Sequence, residues 1–410
     1  MSKNEHHIQQ IKELEQSGQE CRIELEHLRL LLEEERAKRE AAEKDSKDKS
    51  NFVAVLSHEI RNPVNGIVAM SELLSETELT EEQNEYLKII RGSNESLLEL
   101  VNGILDMSRL EAGKMTIAHN PFDLINTIED LIYMLAPRAF DKNVEVVLDV
   151  ESEIPLFVVG DVVKVRQIFL NLLQNAIKFT HEGEIVFQLK RMPSLEPDRI
   201  VVGFAVRDTG IGMSEEQLTR IFDVYTQVHE ASIRHYDGAG LGLNITKNLI
   251  ELLGGRIEVT STAEEGTTVE ILLSFERYTD LPSIPFEDDV LSGMKLLVID
   301  REETSRSIIA GNLGGWGASV ESAADMDEEL AKRAGDGAFD LLLADRSSVD
   351  GNEHFRTLME NPRPHAFLLA RLGEKVEDEE RSRFRSIVTK PIRKLHLLNA
   401  ILAMNKNSRG

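Results

Sequence analysis

The chain has 410 residues, with 47 Lys and Arg against 72 Asp and Glu, for a formal net charge of −25. That length suits roughly two to four domains, and the acidity argues against a nucleic-acid footprint and for protein partners. A single cysteine, Cys21, excludes an internal disulfide framework and fits a reducing compartment. No apolar run approaches the roughly 18 residues a membrane helix needs, and the opening MSKNEHHIQQ shows neither a basic n-region nor an apolar h-region. The expectation is a cytoplasmic protein with no membrane span.

Residues 1–50 are charged and free of proline, with apolar Ile11, Leu14, Cys21, Leu25, Leu28 and Leu32 at spacings of three and four. Gly18, Glu35 and Arg39 interrupt the pattern. The spacing predicts a parallel two-stranded coiled coil, against a single solvated helix, and the segment is too narrow for a ligand-binding sensor domain. Residues 51–115 predict a helical hairpin, one helix from near 48 to 74 and a second from near 81 to 110. The second carries Tyr86, Ile89, Ile90, Leu97, Leu98, Val101, Ile104 and Leu105, and Thr80 with Glu82 and Gln83 nearby marks its start. One hairpin cannot bury such a stripe, whereas two copies can in a dimeric four-helix bundle.

Residues 120–277 predict an α/β unit. Strands are expected at 144–150, 183–189, 199–208, 255–261 and 268–275, and helices at 123–136, 161–179, 214–221 and 242–253. The short links among the strands at 199–208, 255–261 and 268–275 favour antiparallel pairing. An acidic Pro- and Ser-containing linker covers 278–293. From 294 to 405, five strands (MKLLVI, ASVES, FDLLLAD, HAFLLA, RSIVTK) alternate with helical stretches, which predicts a doubly wound parallel sheet.

Four constellations carry chemistry. In SHEIRNP, His58 is a mid-helix imidazole with Glu59 beside it and Asn62 one turn on. A neutral histidine has one free ring lone pair and can accept a phosphoryl group, Glu59 can hold the other nitrogen's proton, and Asn62 can orient a water for hydrolysis. A His-Glu pair on a helix is more often structural when taken alone. Next, Asn171, Asn175 and Lys178 share one helical stripe, offering carbonyl oxygens for Mg²⁺ and a point charge for phosphate; a merely solvated polar face is the competing reading. Third, Asp208 ends a strand before Gly210 and Gly212, and a carboxylate there can accept from an exocyclic amine such as adenine's. Last, Gly238, Gly240 and Gly242, with Leu243, lead into a helix as an anion cradle. A lone glycine pattern of this sort is weak, and the P-loop signature is absent.

Taken in order, these segments resemble the bacterial sensor histidine kinases. FVAVLSHEIRNPVNGI is similar to the phosphoacceptor box, IFLNLLQNAIKFT to the N box, DTGIGM to the first glycine box, IFDVYTQ to the F box and GAGLGLNI to the second glycine box. The resemblance covers about 52–277. It implies a dimerisation and phosphotransfer hairpin with His58 as acceptor, followed by a Bergerat-type ATP-binding sandwich like those of gyrase and Hsp90-class ATPases. It implies Asn171 as Mg²⁺ ligand, Asn175 and Lys178 as phosphate contacts, Asp208 as adenine contact and 223–237 as ATP lid. Ala239 departs from the family's usual hydroxyl residue.

The tail resembles a response-regulator receiver domain, making the whole a hybrid-type kinase. Asp345 stands where the family places its phosphoacceptor and Lys390 where it places a neutralising lysine. Where the family has two adjacent metal-binding acids, this chain has Asp300-Arg301, and Leu369-Ala370 replace an expected hydroxyl residue. These departures favour a domain that regulates or docks over a working phosphoacceptor, with Arg301 pairing Asp300 or Asp345 as an internal cation and Glu302 or Glu303 as substitute ligands. The implied partners are a second copy of the chain and a cognate response regulator or phosphotransfer protein; the implied cofactors are ATP and Mg²⁺. Competing readings are a Bergerat-fold ATPase of the gyrase or chaperone kind and an inactive scaffold.

Overall fold

The computed structural model describes residues 29, 32–36, 38, 39, 53, 55–111, 115–223, 242–278, 289–360 and 365–408. The coiled-coil expectation for 1–50 and most of the 278–293 linker lie outside these. The described positions 29, 32–36, 38 and 39 are helical. The chain divides into two compact units, Met1–Thr116 and Ile117–Gly410.

The first unit holds α1 (55–75) and α2 (Glu81–Glu111). Thr80 and Gln83 cap α2 reciprocally: the Thr80 amide donates to Gln83 Oε1 (2.9 Å) and the Gln83 amide to Thr80 Oγ1 (3.2 Å). Glu81 and Glu82 in the first turn and Arg109 in the last complement the helix dipole. Val64, Leu87, Val101 and Leu105 are buried, and Arg61 Nη2 donates to Asn102 Oδ1 at 3.0 Å, tying the helices together. Val55, Ile67, Met70, Leu73, Tyr86 and Ile89 stay 46–65% exposed, so one hairpin leaves much of its apolar surface uncovered.

The second unit opens with β1 (Asn120–Asp123), α3 (Leu124–Phe140), β2 (Val144–Val150), β3 (Phe157–Gly160), α4 (Val162–Phe179), β4 (Gly183–Met192) and β5 (Arg199–Asp208). There follow α5 (Glu215–Arg220), α6 (Gly242–Leu252), β6 (Arg256–Thr262) and β7 (Gly266–Arg277). The sheet runs β1-β3-β7-β5-β4-β2, with β6 also beside β7. The β4–β5, β5–β7 and β6–β7 pairs are antiparallel, as their short links imply, while β2 joins β4 in parallel. Helices α3, α4 and α6 pack together on this sheet to make a two-layer sandwich. At its centre Phe169 lies 5.3 Å from Phe187 and 4.6 Å from Phe204 between ring centroids. Asp123 caps α3 by accepting from the Asn126 amide, and Asp161 caps α4 by accepting from the Lys164 amide. The strands β1 and β3 were not anticipated. Each has four residues, too few to show alternation, and Pro121 is tolerated only because β1 is an edge strand.

The C-terminal part comprises β8 (Lys295–Ile299), α7 (Glu303–Gly315), β9 (Ser319–Ala323), α8 (Glu328–Gly335), β10 (Leu341–Asp345) and α9 (Arg346–Val349). It continues with α10 (Glu353–Met359), β11 (His365–Arg371), α11 (Asp378–Arg383), β12 (Ser386–Lys390) and α12 (Lys394–Ser408). All five strands are parallel, in the order β9-β8-β10-β11-β12. Alternate residues feed two separate cores: Leu296, Val298, Leu341 and Leu343 join one, and Leu297, Ile299, Leu342 and Ala344 the other.

The strand β2 is the far edge of the first sheet, yet it is buried on both faces. Val146 packs with Ile132, Leu135, Leu173 and Ile177 on the helical side. On the opposite face Glu145 is 2% and Val147 6% exposed, because the C-terminal part covers them.

Candidate phosphotransfer and nucleotide sites

On α1, His58 stands out from the hairpin with 69% of its side chain exposed. Its close contacts converge on one ring nitrogen: Glu59 Oε1 lies 3.8 Å from Nδ1 and Asn62 Nδ2 lies 3.4 Å from it. The Glu59 distance is a charge contact rather than a hydrogen bond. Glu59 favours a proton on Nδ1, which leaves the Nε2 lone pair free, whereas the Asn62 Nδ2 donor at the same nitrogen favours the opposite tautomer. Adjacent Ser57 is buried, which fixes the orientation of this face of the helix.

The nucleotide constellation assembles from α4, α6, the end of β5 and the turn before β7. Asn171, Asn175 and Lys178 lie half-buried along one stripe of α4, while Leu172, Leu173, Ala176 and Ile177 form the buried stripe. Asn171 Nδ2 donates to Thr246 Oγ1 at 2.8 Å, which orients the amide and turns Oδ1 toward Gly242. A Cβ on Gly242 would come within 2.3 Å of that oxygen, so the first residue of α6 must be glycine for the two helices to approach. Leu243, half-buried, follows it. Lys178 Nζ stands 5.1 Å from the Phe179 ring centroid. Asp208 Oδ1 accepts from the Gly210 amide at 2.9 Å. Burial raises the Asp208 pKa, while amide donors from Gly210 and Thr267 oppose the rise. Gly238, Gly240 and all but the first residue of the expected lid at 223–237 lie outside the described residues.

The Asp208 loop is built on close backbone approaches. Gly212 has φ +61°, and a Cβ there would sit 1.9 Å from the Thr262 carbonyl oxygen. Gly212→Ala is therefore expected to displace the loop at a cost of about 1–3 kcal/mol, lowering nucleotide affinity about tenfold. Calorimetry beside Gly92→Ala, whose added Cβ meets nothing within 4 Å, checks this.

In the C-terminal part, Asp300, Asp345 and Lys390 converge. Lys390 Nζ donates to Asp300 Oδ2 at 2.8 Å and lies 2.7 Å from Asp345 Oδ1. The second Asp345 oxygen accepts from the amide and hydroxyl of Ser347, and Ser305 donates to Asp300. Burial drives the Lys390 pKa down, but Glu145, Asp300 and Asp345 outweigh it and hold the ammonium above the ordinary lysine value; burial raises Asp300. One expectation is corrected here. Arg301 does not occupy the site: its Nε donates to Asp325 at 2.9 Å, half exposed, because the following turn carries it outward. A third carboxylate meets Lys390 from the ATPase part: Glu145, with Oε1 at 2.9 Å. Among the described residues no group of three or more His, Cys, Asp or Glu side chains could hold a metal ion. Thr246 and Glu145 both escaped the sequence reading, since neither lies in a local motif that announces its contact.

Residues 48–113 match the His Kinase A (phospho-acceptor) domain, and 160–277 match the histidine kinase-, DNA gyrase B- and HSP90-like ATPase family. The chain is 38% identical over 312 residues to sensor histidine kinase GacS of Pseudomonas protegens, covering 75% of this chain and 33% of that one. It is 35% identical over 268 residues to signal transduction histidine-protein kinase BarA of Escherichia coli, covering 65% and 29%. It is 32% identical over 381 residues to autoinducer 2 sensor kinase/phosphatase LuxQ of Vibrio cholerae, covering 89% and 44%. A crystal structure of full-length ShkA in complex with AMPPNP superposes with a TM-score of 0.66 at 28% identity, covering 86% of this chain and 72% of that one. The chain thus spans less than half the length of these three curated relatives. No described helix is long and apolar enough to cross a membrane. With a phosphoacceptor domain followed by its ATPase domain, and relatives that align across both, the chain carries the paired domains of the sensor histidine kinases.

Proposed function

We propose that the chain is an ATP-dependent protein histidine kinase that autophosphorylates His58 and passes the phosphoryl group to an aspartate of a response regulator. The observation that carries this reading is the setting of His58, exposed, with its carboxylate and amide neighbours both at Nδ1. Asp208 takes the adenine amine, and Asn175, Lys178 and the N-terminal turn of α6 take the phosphates. Asn171 Oδ1 fits a Mg²⁺ ion, which when bound offsets phosphate charge. Nε2 of His58 attacks the γ-phosphorus, the bond to the ADP oxygen breaks, and Glu59 faces the proton retained on Nδ1. Asn62 turns its amide toward a water in the reverse, hydrolytic direction. The uncovered apolar residues of α1 and α2 support a homodimer, and the lack of a described membrane helix accords with a cytoplasmic site of action.

The parallel order β9-β8-β10-β11-β12 supports reading the C-terminal part as a receiver-like domain. Its buried Lys390, committed to carboxylates, favours a regulatory or docking role over phosphate acceptance. Incubation with γ-labelled ATP tests the whole reading. Acid-labile label on His58 with little hydroxylamine-sensitive label on Asp345 is expected. A chain that binds ATP and gains no label is a plain ATPase or scaffold, and Asp345 labelling comparable with His58 makes it a phosphorelay kinase.

A further inference from the structure

The C-terminal part presents four cations to the ATPase part, and three of them meet carboxylates. Arg371 Nη2 lies 3.1 Å from Glu145 Oε2, Lys390 Nζ lies 2.9 Å from Glu145 Oε1, and Arg393 Nη2 lies 2.8 Å from Asp130 Oδ1. The fourth, Lys394, donates to the Val150 carbonyl at 3.1 Å and to Ser152 Oγ at 2.8 Å. The Arg393 guanidinium also stacks 4.1 Å from the Tyr133 ring centroid. These pairs are complementary in sign, while Glu302 brings a like charge towards Glu145 and Glu184.

Glu145 sits at its centre. In VEVVLDV it alternates away from the helical face, where an ATPase part alone would leave its carboxylate in water. Instead Glu145 and Lys390 are each 2% exposed. Burying a carboxylate costs several kcal/mol unless a cation meets it, so this burial requires the Lys390 and Arg371 side chains. Glu145 Oε1 accepts no aligned hydrogen bond, so it is held there by charge. Both Asp345 oxygens are already engaged, by Lys390 and by Ser347.

We infer that the Lys390 pocket is a docking socket whose ligand is a protein carboxylate, Glu145 of the same chain's ATPase part, in place of a phosphoryl group. This rests on the reading of the C-terminal domain as regulatory and says what it recognises. A phosphoryl group on Asp345 needs Lys390 as counter-ion and would lie against Glu145, so the two occupants exclude each other. The socket also adjoins the nucleotide site. Thr304 Oγ1 donates to Glu184 Oε1 at 2.9 Å, Glu184 N and O both pair with Thr209, and Thr209 follows Asp208. Docking and the loop that carries Asp208 thus share one strand end.

Hydrogen exchange of the full-length chain tests the socket. Glu145→Lys, which sets an ammonium against Lys390 and Arg371, is expected to speed exchange of the 144–150 amides about a hundredfold, and the near-isosteric Glu145→Gln about tenfold. Glu153→Lys, on the exposed turn beyond β2, is expected to leave them unchanged. Unaltered protection in α4 and β10 reports that both parts remain folded; if Glu145→Lys fails this, Glu145→Gln carries the test. A folded Glu145 variant with wild-type protection of 144–150 overturns the socket. Hydroxylamine-sensitive label appearing on Asp345 only when Glu145 is replaced would keep the socket and overturn the regulatory reading on which it rests.

Discussion

His58→Ala is expected to abolish acid-labile, alkali-stable label from γ-labelled ATP, to background, while nucleotide affinity stays at the wild-type value. The two outcomes separate because His58 lies in the helical unit and the residues proposed to contact the nucleotide lie in the other. Among histidines, His58 combines a helical position, high exposure and a carboxylate at one ring nitrogen. His119, by comparison, stands 3.5 Å from Glu276 outside any helix, in the segment leading into β1. Glu59→Gln is expected to leave label detectable but slower, since the 3.8 Å contact biases the tautomer without forming a strong bond. Persistent label of the same stability in His58→Ala would place the acceptor elsewhere and remove the chemical role given to Glu59 and Asn62.

The second large effect separates the base end of the nucleotide from its phosphate end. Asp208→Ala is expected to weaken nucleotide binding roughly 10- to 150-fold, the size of a lost hydrogen bond to a charged group, about 1.5–3 kcal/mol. Its carboxylate is half-buried and braced by the Gly210 amide, so it is preorganised to accept. Asn171→Ala is expected to leave metal-free nucleotide binding nearly intact and to abolish the gain in affinity on adding Mg²⁺. The Thr246 hydroxyl takes the amide nitrogen, which leaves Oδ1 as the atom proposed for the metal. Calorimetry with ATP, with and without Mg²⁺, distinguishes the two. Equal losses in both variants under both conditions would mean that each merely disturbs packing between α4 and α6.

Much of this was legible along the chain because it is local. A stripe of Asn171, Asn175 and Lys178 follows from helical periodicity, the β8 and β10 cores from continuous apolar runs, and the start of α2 from Thr80 and Gln83. The phosphoacceptor and glycine boxes depend on short spacings that survive any rearrangement of domains. The tertiary structure decided the rest. Side-chain partners distant in sequence are chosen by where elements stack, not by their neighbours. VEVVLDV reads as a strand, and nothing within it announces that Glu145 is buried because another domain brings Lys390 and Arg371 to it. Arg301 reads as a cation inside the Asp300 site, yet the turn after β8 sends it to Asp325. Thr246 reads as an ordinary helical residue until α6 is laid against Asn171. In each case a charge or a dipole has several candidate partners in the sequence, and burial makes the choice, because an ion or amide removed from water is stable only beside the group that the fold places there.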